Sequence, residues 1–332
     1  MIDKDQSLNS NKFLGDLIEE GLHGQISLIG FPYSIGAGRD NIYKGQENGP
    51  DCLRRFLSKL GPVVNPEYEI SIAKITISDY GNIQVNNNQN HEELIQKLQT
   101  KVKSVLNKKN IPIVIGGSKD CGYAAATPIL QLEGKSAVIN ISGHVDVNLP
   151  YDGDKLSVTC TMRKIIDDNI THIKDSSSKI FFFATQNQLV TNQQFQYVES
   201  RKDQIQILPL NTIRRHQTQA SKSMQEPYTQ ACQKFLELLN SLNDFQNIHI
   251  SFSLESIHSS YCLGVSRMST VGGLTGEEAV EIAFQAGLCK QVKGIDFTDF
   301  NPSNEDFRTG QLLGNLLYYF TMGYALRLKN QV

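Results

Sequence analysis

The sequence lacks a surplus of basic residues, because 32 Lys and Arg stand against 34 Asp and Glu for a formal net charge of -2. Binding to a polyanion releases counterions only where Lys and Arg neutralise phosphates, so we expect no nucleic-acid partner. No stretch approaches the ~18 consecutive apolar residues of a membrane-spanning helix, so we expect no transmembrane segment. The first residues have neither a basic stretch before an apolar core nor an Arg-rich pattern, which argues against a signal or transit peptide.

The cysteines are few and scattered, and no CxxC pair occurs among them. This spacing predicts neither a zinc site nor a disulfide framework, and it favours an intracellular compartment, cytoplasmic or mitochondrial, in which thiols stay reduced. The six are Cys52, Cys121, Cys160, Cys232, Cys262 and Cys289.

Short apolar runs alternate with longer amphipathic stretches, and this alternation predicts an α/β fold with one parallel, doubly wound sheet. No linker rich in Pro, Gly or Ser divides the chain, so we expect an N-terminal extension over 1–24 and a single domain over 25–330. The predicted strands are 25–31, 71–78, 111–117, 136–142, 179–185, 204–210, 247–253 and 291–297. The predicted helices are 49–61, 91–110, 226–242, 276–288 and 309–326.

Several familiar chemistries are excluded by their missing motifs. The first strand is followed by only two correctly spaced glycines, Gly36 and Gly38, which argues against a dinucleotide-binding fingerprint. The sequence contains no GxxxxGK[ST] phosphate loop, and its GGSKD segment at 116–120 is not the GxSxG of a nucleophile elbow.

Short motifs follow the predicted strands in a fixed order, at the edge of the sheet where open parallel sheets bind ligands. They are Gly30–Phe31–Pro32 with Gly36, Arg39, Asn41 and Gly45, then Gly49–Pro50 with Leu53–Arg54, Asp79–Tyr80–Gly81–Asn82, and Asn301–Pro302. With GGSKD (116–120), ISGHVD (141–146) and SFSLES (251–256), they resemble the ureohydrolase superfamily of arginase, agmatinase and formimidoylglutamase, and formimidoylglutamase most of all.

The resemblance implies a three-layer α/β/α sandwich on an eight-stranded, mostly parallel sheet. It also implies hydrolysis of a guanidino or formimino carbon by two manganese ions, which two His and four Asp ligands hold. At the six ligand positions this chain has Lys119, Ser142, His144, Asp146, Ser253 and Glu255. Asp299 stands where the family has a glutamate that contacts the substrate, and Arg39 and Asn41 are candidates either for substrate binding or for a structural role.

These departures lead us to expect no manganese. Lys119 with Asp146 and Glu255 gives a local charge of about -1, and a unit charge ~4 Å from Lys119 would be repelled by ~4 kcal/mol at an effective dielectric of about 20. Serine hydroxyls are also poor manganese ligands. We expect Lys119 instead to pair with Asp146 or Glu255 in a polar network that replaces the metal cluster.

The preferred hypothesis at this point is a catalytically inactive member of the superfamily, a structural or binding subunit with a protein partner or copies of itself. The alternative is a hydrolase of formimidoyl-glutamate or another linear amidine with a reduced or absent metal centre. It would use either a single metal on His144, Asp146 and Glu255, or His144 beside Asp146 as a base with Lys119 stabilising charge. A small amidine ligand fits either version of the site.

Overall fold

A computed structural model of the chain describes residues 11–66, 68–84, 90–150, 152–169, 178–215, 229–269 and 271–330. Within them, nine strands form one sheet in which all neighbouring strands are parallel, and two short strands form an antiparallel pair. The chain is thus an α/β protein built on a large parallel sheet, as the sequence predicts.

The central strands are buried on both faces, which explains why they read as nearly continuous apolar runs. The order across the sheet is β1-β5-β2-β6-β11-β10-β7-β8-β9. The strands are β1 (Ile18–Glu20), β2 (Ile26–Phe31), β3 (Val64–Asn65), β4 (Ile70–Ser71), β5 (Ile77–Asn82), β6 (Ile111–Gly116), β7 (Ser136–Ile141), β8 (Lys179–Thr185), β9 (Ile205–Pro209), β10 (Asn247–Ser253) and β11 (Val292–Thr298).

Helices cover both faces of the sheet and give the predicted three layers. The helices in the described residues are α1 (Ile35–Arg39), α2 (Gly49–Leu57), α3 (His91–Leu106), α4 (Cys121–Leu130), α5 (Thr161–Asn169), α6 (Asn192–Glu199), α7 (Leu210–Arg215), α8 (Gln230–Ser241), α9 (Gly276–Leu288) and α10 (Phe307–Lys329). Apolar side chains of α2 and α7 to α10 pack in one cluster on one face, and those of α3 to α6 pack in two clusters on the other. No helix in this part of the chain is both long and apolar enough to cross a membrane.

The sheet has nine strands rather than eight because β1, which lies within the predicted extension over 1–24, adds to the edge beside β5. The predicted strand over 71–78 begins only at Ile77, because Ile72 and Ile75 are buried within a turn, where they imitate the alternation of a strand. The first three residues of the predicted helix over 226–242 lie outside the described residues, and α8 begins at Gln230. The division of the chain at residue 25 stays a prediction.

The topology brings four loops together. Strands β6, β11, β10 and β7 are consecutive in the middle of the sheet and parallel, so their carboxyl ends lie at the same edge. The residues that follow them are 117–120, 299–301, 254–256 and 142–146, which include most of the predicted site residues. This edge is where open parallel sheets bind ligands.

Candidate active site

Lys119 lies at the centre of the cluster, in the loop between β6 and α4. The backbone of Gly117 passes so close to the carbonyl of Tyr33 that a Cβ at Gly117 would collide with it, which fixes the path of the loop into the site. The Lys119 side chain is fully buried, and its Nζ lies 3.0 Å from Oδ2 of Asp146. The contact is an ion pair by distance but is not aligned as a hydrogen bond. Lys119 thus pairs with Asp146, one of its two predicted partners.

Arg267 is the residue that connects the two buried carboxylates. Its Nη1 and Nη2 donate to Oδ1 and Oδ2 of Asp146 at 2.8 and 3.3 Å, and its Nε lies 2.8 Å from Oε2 of Glu255. The Nε contact is again an ion pair without hydrogen-bond alignment. Sequence reasoning missed Arg267 because it lies in the irregular loop between β10 and α9, away from any strand end. The one sequence feature that could have identified Arg267 is its basic side chain in a loop at the carboxyl ends of the strands.

These cations set the protonation of the carboxylates. Burial alone would raise the pKa of Asp146 and Glu255, but the positive charges of Arg267 and its neighbours outweigh burial. The pKa of Glu255 falls to about 2, and the pKa of Asp146 falls below its ordinary value. Burial would lower the pKa of the Arg267 guanidinium, yet the two carboxylates raise it. Both carboxylates and Arg267 are therefore charged at neutral pH.

His144 is the most exposed side chain of this cluster, with 21% of its side chain exposed, against 14% for Arg267. Its Nδ1 lies 3.0 Å from Oε1 of Glu255, and the same oxygen accepts a hydrogen bond from Ser142 Oγ at 2.7 Å. Because ionised Glu255 can only accept, Nδ1 donates to it, and in the neutral form of the ring Nε2 is then the nitrogen with the lone pair. No described residue is bonded to that Nε2. Asp146 is the predicted neighbour of His144, whereas the carboxylate that His144 contacts is that of Glu255.

Asp299 forms a separate pair with Ser253. Ser253 Oγ lies 2.6 Å from Oδ2 of Asp299, and both side chains are buried. Burial, together with the nearby charge of Glu255, raises the pKa of Asp299 to about 6. Asp146 and Asp299 both have left-handed backbones, with φ of 48° and 70°. Such conformations are uncommon outside glycine, although Asp tolerates them better than most residues, and they concentrate at functional sites.

The residues at the six ligand positions do not fit a pair of manganese ions. Lys119 and Arg267 place two positive charges among the carboxylates, and the hydroxyls of Ser142 and Ser253 are committed to Glu255 and Asp299. Across the described ranges, no three or more His, Cys, Asp or Glu side chains are grouped so as to hold a metal ion. The arrangement favours a metal-free centre, and the absence of manganese stays a proposal. It lends no support to the alternative of a single metal ion on His144, Asp146 and Glu255.

Arg39 and Asn41 lie apart from this cluster. Arg39 Nη1 contacts the Leu156 carbonyl at 2.6 Å and His91 Nδ1 at 3.0 Å, and its Nη2 pairs with Glu92 at 3.0 Å. These contacts tie α1 to the start of α3. Asn41 is exposed and has a left-handed backbone with φ of 56°. A substrate-binding role for either residue stays a prediction, while the geometry gives Arg39 a structural one.

Comparison with known proteins identifies relatives of the same fold. The model of the arginase family matches residues 24–323 of the chain. A guanidinobutyrase of Pseudomonas aeruginosa is 20% identical over 294 residues, which cover 88% of this chain and 84% of the relative. A formimidoylglutamase of Bacillus subtilis is 22% identical over 309 residues, which cover 90% of this chain and 87% of the relative.

Solved structures extend the same likeness to nearly the whole chain. A Trypanosoma cruzi formiminoglutamase solved with Mn²⁺ is 27% identical, and the match covers 98% of this chain and 100% of that one with a TM-score of 0.79. The Bacillus subtilis formimidoylglutamase structure matches with a TM-score of 0.80 over 98% of this chain and 94% of that one. At 19% identity this second match shows the fold alone.

The expectation of a catalytically inactive structural or binding subunit is wrong in the light of these comparisons. The relatives and neighbours that span nearly the whole chain are hydrolases, formimidoylglutamases and a guanidinobutyrase among them. The expectation came from counting lost carboxylates. It gave too little weight to His144 and Glu255, a pair whose base chemistry requires no metal ligand.

Proposed function

Because the chain belongs to the arginase family, we propose that it hydrolyses a carbon–nitrogen bond of a linear amidine, with formimidoyl-glutamate as the first candidate substrate. The names of its relatives support this substrate class, since they act as formimidoylglutamases and as a guanidinobutyrase. The observation that carries the proposal is the contact of 3.0 Å between His144 Nδ1 and Glu255 Oε1. A buried carboxylate behind a partly exposed imidazole is the arrangement of a general base with its orienting group.

His144 acts as the base for a water molecule in this proposal. Nε2 takes a proton from the water while the water oxygen bonds to the amidine carbon and the C=N electrons move to nitrogen. The imidazolium then returns the proton to the nitrogen of the leaving amine, and the carbon–nitrogen bond to that amine breaks. The remaining hydroxyl proton moves to the other amidine nitrogen, so the water oxygen becomes the carbonyl of the product amide and a formimidoyl group leaves as formamide. Glu255 holds the imidazole in one orientation and stabilises its charged form.

The surrounding charges fit this step. Arg267 keeps 14% of its side chain exposed at the cleft, where its guanidinium stabilises the negative charge that develops on the attacking oxygen. Lys119 adds to the same field from its buried position. Asp146 anchors both cations and holds them in place, which is the preorganisation that electrostatic catalysis requires. The proposed step therefore uses the chain's own groups and requires no manganese.

The proposal is tested by incubating the purified full chain with formimidoyl-L-glutamate, 4-guanidinobutyrate and L-arginine, with EDTA or with added Mn²⁺. Proton NMR follows release of the amine together with formamide or urea. We expect turnover of at least one amidine in EDTA, and its loss in His144→Gln. A matched control is His258→Gln, which changes a histidine of the β10–α9 loop that lies outside the cluster. No turnover of any of the three compounds in either condition would contradict the proposal.

Association with a protein partner or with copies of the chain is a separate proposal, supported by family membership alone, because arginase-family proteins are often oligomers. The molar mass of the purified chain from size-exclusion chromatography with light scattering checks it. A monomeric mass across a range of concentrations would contradict self-association.

A further inference from the structure

We infer that Lys119 and Arg267 are built-in cations that take the place of two divalent metal ions, so that this centre is complete without manganese and closed to it. The inference goes beyond the proposed hydrolysis, because it concerns what holds the centre together whether or not an amidine is turned over. It rests on where the two cations lie relative to the carboxylates that remain at the ligand positions.

Charge balance is the first support. The resemblance implies four carboxylates facing two dications, which is four negative charges against four positive ones. Here two carboxylates that stay ionised, Asp146 and Glu255, face Lys119 and Arg267, which is two against two. Positive and negative charges at these positions therefore still match in number, with two of each in place of four. A dication added beside these pairs would bring its double charge next to two fixed cations, and the low dielectric of the buried site strengthens that repulsion.

Geometry is the second support. A bridging metal ion contacts carboxylates from two strand ends at once, and Arg267 does the same with its planar guanidinium. Two of its nitrogens face Asp146, which follows β7, and Nε faces Glu255, which follows β10. Bidentate pairing of this kind is what arginine provides and lysine does not. Lys119 approaches Asp146 from the β6 side, so the carboxylate is held by a cation on each side.

Burial is the third support. Lys119 is fully buried, and Asp146 and Glu255 are 1% exposed. Buried charges are tolerated only when they are paired, so neither cation is a surface residue that happens to fall near the cleft. The Ser142 hydroxyl, which replaces a carboxylate, donates to Glu255 and thereby completes the shell around the ion pairs. An incoming metal would have to displace Arg267 before it could reach either carboxylate.

The first experiment uses the purified full chain. We expect Mn²⁺ at 1 mM to move the thermal midpoint by less than about 1 °C, because an ion that does not bind the folded chain does not stabilise it. We also expect electron paramagnetic resonance to report all added Mn²⁺ as free aquo ion. Stoichiometric loss of the free-ion signal, or a clear stabilisation of the wild-type chain, would overturn the inference.

The second experiment removes the cations. In Lys119→Met with Arg267→Leu, the buried carboxylates of Asp146 and Glu255 lose their cations, so we expect a midpoint lower by roughly 10 °C. Mn²⁺ can then supply the missing positive charge, so we expect it to restore part of the loss. Arg54→Leu is the matched control, since Arg54 makes a bidentate pair with Asp79 at 2.7 and 2.9 Å away from the cleft. It should lose stability without any response to Mn²⁺.

If the double variant does not fold, Arg267→Lys serves in its place, because it keeps the positive charge but loses the planar group that pairs with both carboxylates. We expect this variant to be less stable than wild type and to show no stabilisation by Mn²⁺. A double variant as stable as wild type, or one indifferent to Mn²⁺, would contradict the inference. The outcomes are independent of turnover. A chain that excludes Mn²⁺ but hydrolyses no amidine would contradict the proposed function alone, and a chain that binds Mn²⁺ would overturn the inference alone.

Discussion

His144 Nδ1 and Ser142 Oγ share one oxygen of Glu255, at 3.0 and 2.7 Å, so the imidazole is held by a fully buried carboxylate that a neighbouring hydroxyl also fixes. In Glu255→Gln the side chain keeps its shape, but a neutral amide no longer stabilises an imidazolium or selects the tautomer with the Nδ1 proton. We expect kcat to fall by ~10²-fold while KM changes little. Steady-state amidine hydrolysis measures both constants.

The matched control is Glu278→Gln. Glu278 is also buried and also pairs with an arginine, since Arg214 Nη2 lies 2.8 Å from its Oε2, but it caps α9 away from the cleft. We expect this variant to keep its kcat within a factor of about 2 despite some loss of stability. An equal loss of kcat in the two variants would show that the effect of Glu255→Gln is structural rather than catalytic.

Lys119 is predicted to matter for stability. Lys119→Ala leaves Asp146 buried with one of its two cations missing, and breaking a buried pair costs ~3 kcal/mol or more of unfolding free energy. Denaturant unfolding of wild type and variant measures the difference. A change of less than about 0.5 kcal/mol would contradict the role of Lys119 in the network.

A surface lysine provides the comparison for that measurement. Lys135 Nζ lies only 2.6 Å from Asp244 Oδ2, which is closer than Lys119 lies to Asp146, but the two side chains are 44% and 60% exposed. Exposed pairs contribute little, so Lys135→Ala should cost less than about 1 kcal/mol. The contrast tests burial rather than distance as the source of the effect.

Much of the position of this site can be predicted from the sequence, because the sequence indicates where the buried strands end. The predicted strands at 111–117, 136–142, 247–253 and 291–297 agree with β6, β7, β10 and β11 to within one residue at each end. Apolar runs that are buried on both faces give a strong signal, and parallel strands must place their carboxyl ends together. The strand ends, together with the resemblance to the ureohydrolase motifs, predict that Lys119, Ser142, His144, Asp146 and Glu255 lie in one place.

The parts that could not be predicted depend on contacts distant in sequence and on unpatterned segments. Arg267 reaches Asp146 across 121 positions from a loop without periodicity, so no local pattern marks it as a site residue. Helix α4 was missed because nearly all its residues are buried, which removes the polar face that makes a helix recognisable. The choice of Glu255 over Asp146 as the partner of His144 is likewise a matter of side-chain direction, which spacing does not encode.

Asp299 is expected to make stability depend on pH. Its pKa is raised from an ordinary ~3.9 to about 6 in the folded chain, so the folded state binds its proton more tightly than the unfolded state does. The stability that this proton contributes is fully present below about pH 4 and is lost as pH rises through 6. In Asp299→Asn this loss is absent, so the variant should gain ~2 kcal/mol relative to wild type between pH 4 and pH 7.

Equilibrium unfolding in urea at several pH values measures that difference. Asp306→Asn is the control, because Asp306 is a half-exposed aspartate whose Oδ2 lies 3.6 Å from Arg55, and its pH dependence should follow wild type. The low pKa of Glu255 acts in the opposite direction, with stability lost as pH falls from about 4 towards 2, and it is common to all three proteins. Parallel curves for Asp299→Asn and wild type would show that Asp299 does not titrate differently on folding.

Arg39 distinguishes a structural role from a substrate-binding one. Its guanidinium donates to the Leu156 carbonyl and contacts both His91 and Glu92, so Arg39→Met removes charge-assisted hydrogen bonds that connect three segments of the chain. We expect a loss of ~2 kcal/mol in unfolding free energy and a KM for the amidine within a factor of about 2 of wild type. Arg55→Met, at an arginine with 65% of its side chain exposed, should change neither quantity appreciably. If KM instead rises tenfold or more in Arg39→Met while stability is unchanged, Arg39 contacts the substrate, and the cleft extends further towards α1 than the cluster around Arg267 indicates.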